Sequence, residues 1–141
     1  MGAIASRGAR DENAWCERFR EYRSHYPGEA QELEELVKGN FGEEWARLLP
    51  TFAEKAATRR IGPKAFGAIA TTMPTLLSGC ADLAESVFTE IPDAGSQQAS
   101  NPSGRNVSYG VREHAMAAAV NGIVLHGACK AVGGTFLIFS D

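Results

Sequence analysis

Apolar and aromatic residues recur at helical spacing from the start of the ordered pattern, with Trp15, Phe19 and Tyr22 separated by Arg18, Arg20 and Glu21. This predicts an amphipathic helix from residue 12 that closes at His25-Tyr26-Pro27-Gly28. A second helix is expected over 29–38, with Leu33, Leu36 and Val37 as its thin apolar face and Gly39-Asn40 as its stop, followed by a segment over 41–49 that ends at Pro50. Residues 1–10 mix Gly, Ala, Ser and Arg without periodicity, and the expectation there is a poorly ordered terminus.

From Thr58 the texture changes. A small and apolar run over 61–70 predicts a helix, Thr71-Thr72-Met73-Pro74 a turn, and Thr75-Leu76-Leu77-Ser78-Gly79 a buried strand. Residues 89–105 are dense in Gly, Ser, Asn, Pro and Gln, which is loop chemistry at a length that suits a functional loop. A short strand is expected over 106–109, then a turn at Gly110. A helix follows over 111–125, where Ala115, Ala118, Ala119 and Gly122 form one stripe and Met116, Val120 and Ile123 another; apolar on two faces, it should be buried. After Gly133-Gly134, the β-branched and aromatic run over 135–140 predicts a strand covered on both sides. The order helix, strand, loop, strand, helix, strand indicates an α/β fold with a parallel sheet. The last predicted strand has no covering helix after it, so the sheet reads as incomplete.

Composition narrows the function. The chain has 141 residues, 44% of them hydrophobic, and a net charge of -3. That is enough apolar material for one core and excludes fibrous and disordered classes. No run of consecutive cations is long enough to grip phosphate backbones or anionic membranes, and no apolar stretch approaches the roughly 20 residues of a membrane span. With no secretory pattern behind Met1, the expected location is cytoplasmic. Cys16, Cys80 and Cys129 are too widely spaced for a zinc site and read as reduced thiols.

The densest chemistry is Tyr109-Gly110-Val111-Arg112-Glu113-His114-Ala115-Met116, where a turn after a strand delivers ionisable side chains to the first turn of a helix. A carboxylate there is favoured by the helix dipole while desolvation opposes its ionisation, a competition that tunes acid–base groups. Taken alone, Glu113 fits an acid–base role, an ion pair with Arg112 or a helix cap; His114 fits a structural histidine. Asp82 stands just beyond a strand end and Arg59 opens a helix, both weaker candidates.

In order along the chain, Ala57-Thr58-Arg59, Ser78-Gly79-Cys80-Ala81-Asp82-Leu83, Gly110-Val111-Arg112-Glu113-His114-Ala115-Met116, Asn121-Gly122-Ile123 and Gly133-Gly134-Thr135-Phe136 resemble the transketolase family. The resemblance covers 58–141 as the first half of that family's pyrimidine-binding domain and 15–52, more loosely, as the helical connection that precedes it. With the poorly ordered 1–10 read from composition, it implies 11–57 as a helical linker and 58–141 as a partial pyrimidine-binding domain. It also implies thiamine diphosphate chemistry that moves a two-carbon ketol unit from a ketose phosphate to an aldose phosphate, as in the pentose phosphate pathway.

On that resemblance Glu113 matches the catalytic glutamate, which hydrogen-bonds the aminopyrimidine ring nitrogen. Phe139 and Phe136 match the aromatic pocket around the pyrimidine, and Asp82 and Leu83 line the cofactor cavity. Arg59 and Ser86 match the residues that hold the substrate phosphate. The family's Gly-Asp-Gly and Asn segment for Mg2+ or Ca2+ and diphosphate is not in this sequence, so no metal ligand is assigned and the isolated chain is expected to be inactive. Family members pair as homodimers, and a complementary transketolase chain is the other partner implied. Cys80 stands where the family usually has Ser, and Ala131-Val132 where Pro-Tyr is common. A dihydroxyacetone synthase-like enzyme and a non-catalytic, partner-binding subunit of a split enzyme are the competing readings.

Overall fold

The computed structural model describes residues 2–139. The chain divides into two compact units, Met1–Asn40 and Phe41–Asp141.

The first unit is a pair of helices, α1 (Gly2–His25) and α2 (Pro27–Val37). Pro27 opens α2, a position where its missing N–H costs nothing. Along α1 the rings of Trp15 and Phe19 stack at 5.0 Å, Phe19 and Tyr22 lie 6.4 Å apart, and Tyr22 meets Tyr26 at 5.2 Å. Arg23 lies over the Phe19 ring and pairs with Glu34 of α2, while Ala30 is fully buried. Beside them, hydrogen bonds from Lys38 and Asn40 hold the Glu35 carboxyl below its usual range. Residues 2–10, expected to lack order, are helical instead, and Met1 lies outside the described residues. Ala3, Ala5, Arg7, Ala9 and Arg10 are good helix formers, and a helix nucleated elsewhere propagates through them at little cost.

The second unit holds α3 (Glu44–Leu48), α4 (Thr58–Thr72), β1 (Leu76–Cys80), α5 (Ala84–Val87), β2 (Asn106–Ser108), α6 (Glu113–His126) and β3 (Lys130–Gly134), then a 3-10 turn over Leu137–Phe139. Residues 41–57, expected with the helical linker, group here because α3 packs on α4 and the Lys130 ammonium sits 4.3 Å over the Phe41 ring. The three strands form a parallel sheet in the order β2-β1-β3. Ala70, Leu76 and Ile91 make the core, with Phe66, Ile69, Met73, Ala94 and Val132 around it.

Two expectations fail at β3. The strand lies over Lys130–Gly134 and not over 135–140, and the apolar run beyond it forms the 3-10 turn with Leu137 87% exposed; Ser140 lies outside the described residues. The glycines decide this. A Cβ on Gly134 would come within 2.6 Å of Thr89 Oγ1, closer than real Cβ atoms stand, and one on Gly133 within 3.1 Å of the flexible Met116 side chain, a tight fit, so the strand passes close to its neighbours at both glycines. The helix expected to be buried on two faces is also different: α6 packs on β3 through one face, buries Met116, and leaves Leu125 86% exposed.

The long connection between α5 and β2 is tied down by polar side chains. Arg105 donates from Nη1 to the carbonyls of Ala70 and Met73, both at 3.1 Å, and so satisfies the C-terminal end of α4. Asn106 accepts from the Ile91 N–H at 2.8 Å and donates back to the Ile91 carbonyl at 2.8 Å, an amide doing what a neighbouring strand would do. Ile91 is buried, so Asn106→Ala strands two backbone groups away from water. We expect that variant to lose about 2–6 kcal/mol in chemical denaturation, at about 1–3 kcal/mol for each of the two orphaned groups. Asn101→Ala, whose amide bonds Ser96 at the surface, serves as the control and shifts stability far less.

Candidate active site

The end of β3 separates two clefts. Residues alternate along a strand, so Val132 and Gly134 border one cleft and Gly133 the other. On the first side, Arg59 from the start of α4, Ser86 from α5, Phe88, Val132 and Phe136 line a cleft of about 620 Å3. On the second, Glu113, Met116, Val120, Asn121, Gly133 and Phe139 line one of about 550 Å3. Thr135 borders both.

The turn before α6 explains how Glu113 reaches its cleft. Gly110 takes a left-handed conformation at φ +69, and Arg112, in non-helical backbone at φ -151 and ψ 62, becomes the residue from which the helix starts. The Met116 N–H donates to the Arg112 carbonyl at 2.8 Å, which fixes the first helical turn. The Arg112 guanidinium donates to the Tyr109 carbonyl at 3.0 Å and makes no ion pair with Glu113. Among the described residues Glu113 has no hydrogen-bond or ion-pair partner at all, and it is half-buried in the first turn of a helix. A carboxylate so placed gains from the helix dipole and keeps both oxygens available to a ligand. Tyr109, close by, is buried enough to raise its phenol above the ordinary range.

The site residues expected from the sequence are thus divided. Glu113 and Phe139 come together, with Phe139 48% exposed as one wall of their cleft. Phe136, expected beside Phe139, lines the other cleft with Arg59 and Ser86, because the 3-10 turn carries the chain away after it. Asp82 and Leu83 line neither cleft: Asp82 is exposed in a left-handed turn at φ +59, which bends the chain off β1, and Leu83 caps α5, the helix that carries Ser86. The sequence reading does not single out Phe88 or Thr135. Phe88 is an aromatic residue at φ +54, and no pattern of hydrophobicity marks a backbone of that kind in advance.

The donor set suits the ring end of an organic cofactor. A partnerless half-buried carboxylate and an aromatic side chain line one open cleft, a set that matches a flat heterocycle with a basic nitrogen. It does not suit a metal, since no three His, Cys, Asp or Glu side chains gather among the described residues. Among those residues, too, no helix is long and apolar enough to cross a membrane.

The family described as "Transketolase, pyrimidine binding domain" matches residues 54–141. The transketolase of Aquifex aeolicus is 42% identical over 130 residues, covering 92% of this chain and 19% of that protein. The transketolase of Bacillus subtilis is 38% identical over 141 residues, covering 99% and 21%. Among solved structures, transketolase from Leishmania mexicana superposes with a TM-score of 0.86 at 32% identity, covering 93% of this chain and 20% of that one. The Pichia stipitis transketolase in complex with sedoheptulose-7-phosphate superposes with a TM-score of 0.85 at 35% identity, covering 95% and 21%. The chain spans about a fifth of the length of these relatives. With a family match over most of its second unit and relatives that align along nearly all of it, the chain belongs to the transketolase family.

Proposed function

We propose that this chain supplies the pyrimidine-side wall of a thiamine diphosphate-dependent transferase that moves a two-carbon ketol unit from a ketose phosphate to an aldose phosphate. The observation that carries the reading is the partnerless, half-buried carboxylate of Glu113 lining the same open cleft as Phe139. When bound, thiamine diphosphate supplies the carbon nucleophile at its thiazolium C2; the protein supplies proton placement and orientation.

In this reading Glu113 holds a proton at the aminopyrimidine ring nitrogen, and Phe139 packs against the face of the ring and keeps water from it. Arg59, with no ion-pair or hydrogen-bond partner among the described residues, offers its guanidinium fork to the phosphate of the sugar, and the Ser86 hydroxyl adds a donor in the same cleft. The Mg2+ or Ca2+ ion and the diphosphate groups are held by residues outside this sequence. The chain on its own is therefore inactive, and the working enzyme is a dimer or a complex with a complementary chain. It acts in the cytoplasm, in the pentose phosphate pathway.

The test uses a chimera in which residues 54–141 replace the matching segment of the Aquifex aeolicus transketolase. Glu113→Gln in that chimera should lower turnover by about 10²–10⁴-fold, the range for removing a positioned proton-transfer group. Its melting temperature should stay put, because Glu113 has no partner in the fold. A variant that melts earlier but keeps its activity per folded molecule would make Glu113 structural. For Arg59→Ala, steady-state kinetics should show the Michaelis constant for a ketose phosphate rising by about 10–100-fold, as expected for about 1.5–3 kcal/mol of charge-assisted hydrogen bonding. The value for unphosphorylated hydroxypyruvate should change little; equal effects on both donors would remove Arg59 from phosphate recognition.

A further inference from the structure

Every charged residue of α4 is a cation. Arg59, Arg60 and Lys64 all fall within its first two turns, and no acidic residue stands in the first turn to balance them. Cations there oppose the helix dipole, and Arg60 and Lys64, four residues apart, form a like-charge pair on one face. Each of these placements costs stability in a chain whose net charge is -3. The fold does not neutralise them: among the described residues none of the three side chains makes an ion pair or a hydrogen bond, although the Glu54 carboxylate borders the same cleft.

That cleft measures about 720 Å3 and adjoins the one that Ser86 lines, with Arg59, Pro63 and Phe88 as the wall between them. Arg60, Lys64, Phe52, Glu54 and Phe88 are among its walls, and Arg59 reaches both clefts. Phe88 is 45% exposed and left-handed, so an aromatic face is held open to solvent at the edge of a cationic pocket. Unpaired like charges, an open cleft and exposed aromatic walls are jointly accounted for by an anionic occupant.

We propose that Arg60 and Lys64 form a second anion site, next to the cleft of Arg59 and Ser86 and on the far side of Arg59 from Ser86, that takes a phosphate-bearing ligand with more than one negative charge. Arg60 offers a planar fork to two phosphate oxygens and Lys64 a compact charge to a third. The phosphates can be free or carried on an organic body that rests against Phe52 and Phe88.

Calorimetric titration of the 141-residue chain with inorganic pyrophosphate, and separately with adenosine triphosphate, tests this at low ionic strength. We expect saturable binding that weakens at least about tenfold in Arg60→Ala and in Lys64→Ala and is retained in Ser86→Ala. Tighter binding of the nucleotide than of pyrophosphate marks an organic phosphate as the ligand; equal binding marks the free anion. Without ligand, neither cation variant should melt below the parent chain, because each relieves a repulsion. The proposal is overturned by an absence of saturable binding, by binding that Ser86→Ala abolishes and Lys64→Ala spares, or by a lowered melting temperature in both unligated cation variants.

Discussion

The parallel ladder between Leu76–Cys80 and Lys130–Gly134 is the constraint on which the second unit depends. It pairs Cys80 with Gly134 and Gly79 with Gly133, and so sets the point at which β3 leaves the sheet. Met116 anchors α6 against Gly133, while Thr89 and Val87 close on Gly134 from the other direction. A side chain at Gly134 would push Thr89 away, at a cost of about 1–3 kcal/mol for overpacking of this kind, and one at Gly133 would require Met116 to shift by a few tenths of an ångström. The helix that carries Glu113 and the segment that carries Ser86 are therefore both positioned by two residues that have no side chain.

From this placement follows the chemical division of the site. A strand end can serve two clefts only because its residues alternate, and here one cleft receives a partnerless carboxylate and the other a partnerless guanidinium. Opposite charges that met directly would neutralise each other and offer little to a ligand. Kept on opposite faces of β3, each remains available to a group of opposite character. That arrangement suits a reaction in which a ring nitrogen must be protonated at one place while a phosphate is gripped at another.

Much of this was legible in the sequence where local pattern and tertiary demand agree. The apolar run of α4, the strand at Leu76–Cys80 and the turn at Gly110 before Glu113 all follow from periodicity and backbone preference. Pattern misleads where contact decides. Gly133-Gly134 reads as punctuation because glycine usually breaks structure, yet close approach makes it the strand itself. The aromatic run after it reads as a strand and instead turns, which sends Phe136 and Phe139 to different clefts. The alternatives open for Glu113 could be narrowed only by coordinates, because nothing in the sequence says that Arg112 bonds the Tyr109 carbonyl and leaves the carboxylate alone.

The central claim is that Glu113 acts on a proton of the bound heterocycle and contributes nothing to holding the fold. Hydrogen–deuterium exchange at the thiazolium C2, followed by quenched NMR in the chimera with cofactor bound, measures that action without requiring turnover. The account predicts that Glu113→Gln slows the exchange by about 10²–10⁴-fold while cofactor affinity and melting temperature stay near their parental values. An unchanged exchange rate in the Glu113→Gln protein would contradict it.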